Sequence, residues 1–172
     1  MSVCKSDVLY HYLLENNSNA TSIIDNGLLP LSAFPESTAW KNLETALPNF
    51  YQQLYELLAE PIIKLPYKNS GVFLTPIDFR KIPDSHLSNH TRIAIPREII
   101  DPDCAVLTYV FDEERISLPL TEDNLKQTAS LWPAVRIKQW FAKNPNMIFF
   151  YVPQVAVYQD GAIPIKVDWI ER

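Results

Sequence analysis

Hydrophobic and polar positions alternate loosely over residues 7–13, and this predicts a strand. The polar run Asn16, Asn17 and Ser18 then offers helix caps. Ala20, Ile23 and Ile24 follow on one helical face, and Gly27 stands where a glycine ends a helix. Leu28, Leu29 and Leu31 continue as a buried extended segment. From residue 37 to residue 66 the pattern turns helical. Ser37 caps a helix through Ala46, and Pro48 suits the first position of the next. Phe50, Tyr51, Leu54, Leu57 and Leu58 recur at helical spacing, and Pro61 and Pro66 close that stretch. Residues 71–75, 91–95 and 105–111 read as strands, the last being rich in β-branched and aromatic residues. Thr121 before Glu122 and Asp123 caps a helix through Leu131, and a second helix covers 133–143. Residues 147–152, 154–158 and 165–170 are predicted strands, with Pro153 separating the first two. The stretch 78–89 is the most loop-like.

Strands and helices do not alternate regularly along this order, so an α+β fold is expected rather than a doubly wound sheet. A length of 172 residues implies a single domain, 1–172. A chain of that size buries about 70% of its unfolded surface and needs no disulfide or metal staple. With 47% apolar and 20% charged residues, it has the composition of an ordinary soluble globular protein. Only 3 glycines are present, which excludes a glycine-rich phosphate cradle and argues against Rossmann and P-loop folds. The formal charge of −5, with Lys and Arg scattered, disfavours nucleic acid as a partner. No apolar run approaches the ~20 residues of a membrane helix, and no signal-peptide core follows Lys5 and Asp7. A cytoplasmic location is therefore expected, with Cys4 and Cys104 as free thiols.

Several residues invite chemical readings. His86 and His90 have the i, i+4 spacing of two metal ligands on a helix, but no third ligand accompanies them and no metal site is expected. Asp101, Asp103, Asp112, Glu113 and Glu114 place carboxylates near strand ends, where an acid pair suited to hydrolysis and a plain acidic turn are both open readings. Trp40, Trp132, Trp140 and Trp169 occupy apolar-face positions and are expected to pack. The Phe50–Leu58 face is either core or a partner surface. His11, between Tyr10 and Tyr12, is either a strand histidine with a satisfied hydrogen bond or a ligand contact.

Three segments together resemble the motifs of the ADP-ribosyltransferase superfamily, in particular its DarT-type and RNA 2′-phosphotransferase-type members. The segment LYH followed by a helix ending IIDNGLLP resembles the first motif, a strand-borne histidine before a short helix. GVFLTPIDF, residues 71–79, resembles the second, and QVAVYQDGAIPIKVDWI, residues 154–170, the third. Residues 32–67 match no part of the family pattern. The resemblance implies two packed, mostly antiparallel sheets with flanking helices, and NAD as the substrate. It implies that His11 bonds the adenosine ribose and that the backbone at Tyr12 faces the nicotinamide amide. Phe73 and Thr75 would line the nicotinamide side, with Thr75 bonding the ribose or a catalytic partner. Gln154 would take the catalytic position at the nicotinamide ribose 2′-hydroxyl, where a carboxylate stabilises an oxocarbenium-like state.

The chain departs from that pattern at two places. Gln154 stands where the family usually has glutamate; its amide accepts a hydrogen bond but carries no charge and cannot act as a base. Tyr12 stands where many members have glycine. The expectation is therefore NAD binding, with transfer of ADP-ribose to an unidentified acceptor, such as a protein, weak or absent. The alternatives are a non-enzymatic binding module on the same scaffold and a metal-free hydrolase using the acidic strand ends.

Overall fold

The computed structural model describes residues 2–13, 18–145 and 152–172. Two antiparallel sheets face each other across an aliphatic core. The first sheet has the order β1 (Val8–Tyr12), β3 (Arg92–Pro96) and β7 (Ile170–Glu171). The second has the order β2 (Val72–Leu74), β6 (Gln154–Val157), β4 (Ala105–Phe111) and β5 (Glu114–Pro119). The α+β class and the two antiparallel sheets thus agree with expectation. No helix among the described residues is long and apolar enough to cross a membrane.

Side-chain alternation explains the layers. Leu9, Ile93 and Ile95 of the first sheet meet Leu74, Leu107, Val155 and Val157 of the second in the core between them. The opposite face of β1 sends Tyr10 and Tyr12 into a second, aromatic-rich core with Phe79, Trp132 and Ile137. The outer face of the second sheet, with Val106, Ala156 and Tyr158, is covered by Tyr55 and Ala59. These belong to the segment of α3 (Phe50–Leu58) and α4 (Glu60–Ile63). A preceding helix, α2 (Thr38–Ala46), buries none of its residues. It is capped as expected by the Ser37 hydroxyl, which accepts from the Trp40 N–H at 3.2 Å. Thr121 caps α5 (Glu122–Leu131) in the same way, and α6 (Ala134–Lys143) follows Pro133.

Glycine is required at the end of α1 (Ser18–Asn26). Gly27 has φ +77°, and a Cβ there would lie 2.7 Å from Ala162 Cβ and 2.8 Å from Ile163 O. That close approach lets Leu28 and Ile163 exchange backbone hydrogen bonds and pins the helix exit to the C-terminal segment.

Several expectations need correction. Strand β5 was not predicted; it forms because Asp112 and Glu113 both adopt positive φ and close a two-residue hairpin with β4. Of the strand expected at 165–170 only Ile170 pairs, together with Glu171 beyond it, because Val167–Trp169 turns as a 3₁₀ helix. Pro61 does not end the helical stretch but sits in the first turn of α4, where its missing N–H is tolerated. Pro48 lies in the turn before α3, whose cap is Asn49 in the left-handed region. On α3 the deeply buried residue is Tyr55, while Leu57 is 55% exposed. Ile23 meets the core but Ile24 is exposed, and Leu31 opens a 3₁₀ turn. Asn16, Asn17 and all but Val152 of the strand expected at 147–152 lie outside the described residues.

Candidate functional site

The two sheets touch where β1 meets β2. Tyr10 and Thr75 exchange two backbone hydrogen bonds, of 2.7 and 2.9 Å, and this is an isolated bridge rather than a ladder. One step along, where the next pair of a ladder would fall, the His11 ring spans the gap instead. Its Nδ1 lies 3.0 Å from the Phe73 carbonyl oxygen. A carbonyl only accepts, so Nδ1 carries the proton and Nε2 is left as an acceptor. Burial lowers the His11 pKa below the usual value, and the Phe73 carbonyl opposes that shift. The imidazole is therefore held neutral near pH 7, the form that suits an acceptor facing a hydroxyl.

Thr75 ties this junction to the third motif. It is fully buried; its hydroxyl donates to the Pro153 carbonyl at 2.8 Å and accepts from the Ile77 N–H at 3.2 Å. Both bonds are to the protein itself, so Thr75 acts as a pin that sets the chain just before Gln154. The residues 10–12, 73–75 and 153–154 are thus brought together.

Their side chains do not all converge. Phe73 is partly buried, and Tyr51 stacks on it with centroids 5.9 Å apart and planes at 24°. Tyr51 in turn stacks on Trp40, at 6.1 Å and 3°. The ring expected to line a nicotinamide slot is thereby covered by α2 and α3. The Tyr12 ring does not crowd the junction. It turns into the aromatic core, where its hydroxyl donates to Ile77 O and accepts from the Phe79 N–H at 2.8 Å and from Arg92 at 3.2 Å.

Gln154 is partly exposed and opens onto a cavity of about 300 Å³ between α3, β4, β6 and α6. No hydrogen bond of its amide is found among the described residues. Thr108 lies directly opposite it across the β4–β6 ladder and lines the same cavity. Arg115, exposed on β5, borders it. The alternation of Val106, Thr108 and Val110 was the available signal for Thr108, the one aliphatic hydroxyl in that strand.

Next to the junction is a buried ion network that sequence reasoning did not identify. Arg92, opposite Tyr12 in the β1–β3 ladder, donates to Asp78 at 2.6 Å and to Glu171 at 2.5 Å. Its guanidinium also sits 4.2 Å above the Tyr10 ring. Burial works against the Arg92 charge, but Asp78, Tyr12 and Glu171 more than offset it and raise its pKa.

The other candidates separate. Residues 82–90 form turns, so His86 and His90 do not share a helix face. His86 packs instead against Phe141, at 4.8 Å, and Phe79, at 5.9 Å. Asp101 and Asp103 lie before the first residue of β4, and Asp112 and Glu113 follow its last. A seven-residue strand places those two acidic groups roughly 20 Å apart, too far to act as a pair. Asp101 accepts from the Asp103 N–H at 2.9 Å, so it closes a turn. Trp132 is buried, and Trp169 packs on the aliphatic core. Cys4 is buried and its thiol is pushed up to about 12 by desolvation.

Comparison with protein-family models, curated proteins and solved structures finds no match to this chain.

Proposed function

We propose that this chain is an NAD-binding protein of the ADP-ribosyltransferase type in which group transfer is weak or absent. The observation that supports this most is the hydrogen-bonded junction of the three motif segments. Tyr10 pairs with Thr75, His11 bonds the Phe73 carbonyl, and Thr75 bonds the carbonyl preceding Gln154. In this reading the neutral His11 accepts from a ribose hydroxyl through Nε2. Gln154 accepts from the ribose at the reacting centre, and Thr75 is a positioning residue for it. The amide at 154 holds the sugar without supplying the negative charge that glycosidic cleavage needs. Losing a preorganised charge of that kind typically lowers a rate by about 10²–10³-fold.

The test is a thermal shift with NAD followed by nicotinamide release. A ligand at 100 times its dissociation constant stabilises by about 2.7 kcal/mol, which for a chain of this size is about 5–10 °C. Gln154→Glu is expected to raise nicotinamide release by about 10²-fold. Absence of any shift at millimolar NAD overturns the reading.

A second reading, a non-enzymatic binding module on the same scaffold, is favoured by one specific observation. Tyr51 already covers the Phe73 ring, so the α2–α3 segment stands where a nicotinamide would stack. An unchanged melting temperature with NAD in wild type and in Tyr51→Ala selects this reading.

A further inference from the structure

The cavity beside Gln154 has a composition the NAD reading does not use. Its walls are apolar and aromatic, with Phe50, Leu54 and Leu58 from α3 and Trp140 from α6. Besides Tyr109, whose hydroxyl is hydrogen-bonded to Thr128, two uncharged polar side chains line it, Thr108 and Gln154, opposite each other across the ladder. Thr108 is more than nine-tenths buried. Neither its hydroxyl nor the Gln154 amide has a hydrogen-bond partner among the described residues. The Thr108 hydroxyl is not sealed in the core but is reached from the cavity, where a bound group can take up its hydrogen-bonding capacity.

We propose that this cavity is a small-molecule site for a neutral, planar group that carries a hydrogen-bond donor and acceptor side by side. The Gln154 amide presents one donor edge and one acceptor edge, and the Thr108 hydroxyl serves as either. Together they match a carboxamide or a ring lactam. The apolar walls reject a charged group, whose desolvation nothing inside would offset. About 300 Å³ is at the lower end of ligand pockets, which limits the buried portion to roughly one ring system. Arg115, exposed at the border, suits an anionic substituent that stays in water. The inference shares Gln154 with the NAD reading but goes beyond it, because Thr108 and the α3 and α6 walls have no part in that reading, and His11, Tyr12, Phe73 and Thr75 are not among the residues lining this cavity.

The experiment is ligand-observed NMR and calorimetry on the full chain with four probes. Benzamide carries the exocyclic carboxamide and uracil the ring lactam. Cyclohexanecarboxamide lacks the flat ring, and benzoate replaces the neutral edge with a charge. At least one of the first two is expected to bind at least about tenfold better than both controls. Which of the two binds tells a carboxamide ligand from a lactam ligand. Thr108→Val keeps shape and β-branching while removing the hydroxyl, and is expected to weaken that probe by about fivefold. Leu54→Trp, which fills the cavity, is expected to abolish it. Failure of both planar probes at millimolar concentration overturns the proposal. So does binding that Thr108→Val leaves unchanged. Gln154 is common to both readings, but Thr108 and Leu54 are not, so the planar probes and these two variants separate a failure here from a failure of the NAD thermal shift.

Discussion

Arg92 is the residue whose replacement should do most damage for the least change in shape. Arg92→Met keeps much of the side-chain volume but removes three hydrogen bonds, to Asp78, Glu171 and Tyr12. The Asp78 side chain is 6% exposed and is left without its close cation. Breaking a buried ion pair by removing one partner costs about 3–5 kcal/mol, because the surviving charge stays desolvated. Two features place this case near the lower figure. Glu171 is 39% exposed and returns to water, and Lys81 approaches Asp78 at 3.9 Å. The expected loss is about 3 kcal/mol, a large share of the roughly 5–15 kcal/mol that holds a domain together. Urea unfolding followed by tryptophan fluorescence measures it, with the m-value checked for constancy. Asp78→Leu made together with Arg92→Met should recover most of the loss, since the unpaired charge is then gone. A single-variant cost under about 1 kcal/mol, or a double variant as unstable as the sum of its singles, refutes the reasoning.

Other consequences are open to direct measurement. The folded-state His11 pKa is depressed, so below pH 6.5 the unfolded chain binds more protons at this residue. Its contribution to stability is therefore complete above the unfolded value and is lost as pH falls from about 6.5 toward the folded pKa. His11→Gln should flatten that part of the stability–pH curve, and an unchanged slope counts against a buried neutral imidazole. Gly27→Ala should lower the melting temperature by about 4–8 °C, from a left-handed strain of about 1–2 kcal/mol plus the clash with Ala162 and Ile163. Asp112→Asn with Glu113→Gly should instead stabilise by about 0.5–1 kcal/mol, because both positions hold positive φ in a two-residue hairpin.

The same turn shows why part of the fold was hidden. β4 is legible to its last residue because AVLTYVF is apolar but for Thr108 and rich in β-branched and aromatic residues. β5 was missed because its turn is Asp-Glu rather than Asn-Gly, and because none of its residues is buried. The Ser37 and Thr121 caps could be read because a cap is a local hydrogen bond between near neighbours. At the candidate site, the motif resemblance singled out His11, Thr75 and Gln154 but carried nothing about their orientations. Nothing local reveals that the Thr75 hydroxyl goes to Pro153, 78 residues away. The role of Arg92 is hidden for the same reason, with its carboxylates 14 and 79 residues distant. Tyr51 read as one more apolar helix position, and only the packing of α3 shows that its ring covers Phe73.

Strand β6 lies between β2 and β4, so its position also sets an order of assembly. The β4–β5 hairpin is local and can close in about 1–10 μs. β2 has no such option: its ladder partner is β6, with Val72 opposite Val157, and besides β6 it is tied to β1 through the Tyr10–Thr75 bridge and the His11–Phe73 hydrogen bond. Until residues 154–157 dock, the β2 edge of β6 does not exist and β4 offers an open edge. The second sheet should then grow outward from the hairpin, with β2, and through it the β1 junction, joining last. Destabilising changes in the β4–β5 turn should consequently slow folding, while those at Phe73 or Thr75 should mainly speed unfolding. The junction that carries His11 would be the last part of the molecule to form and the first to open.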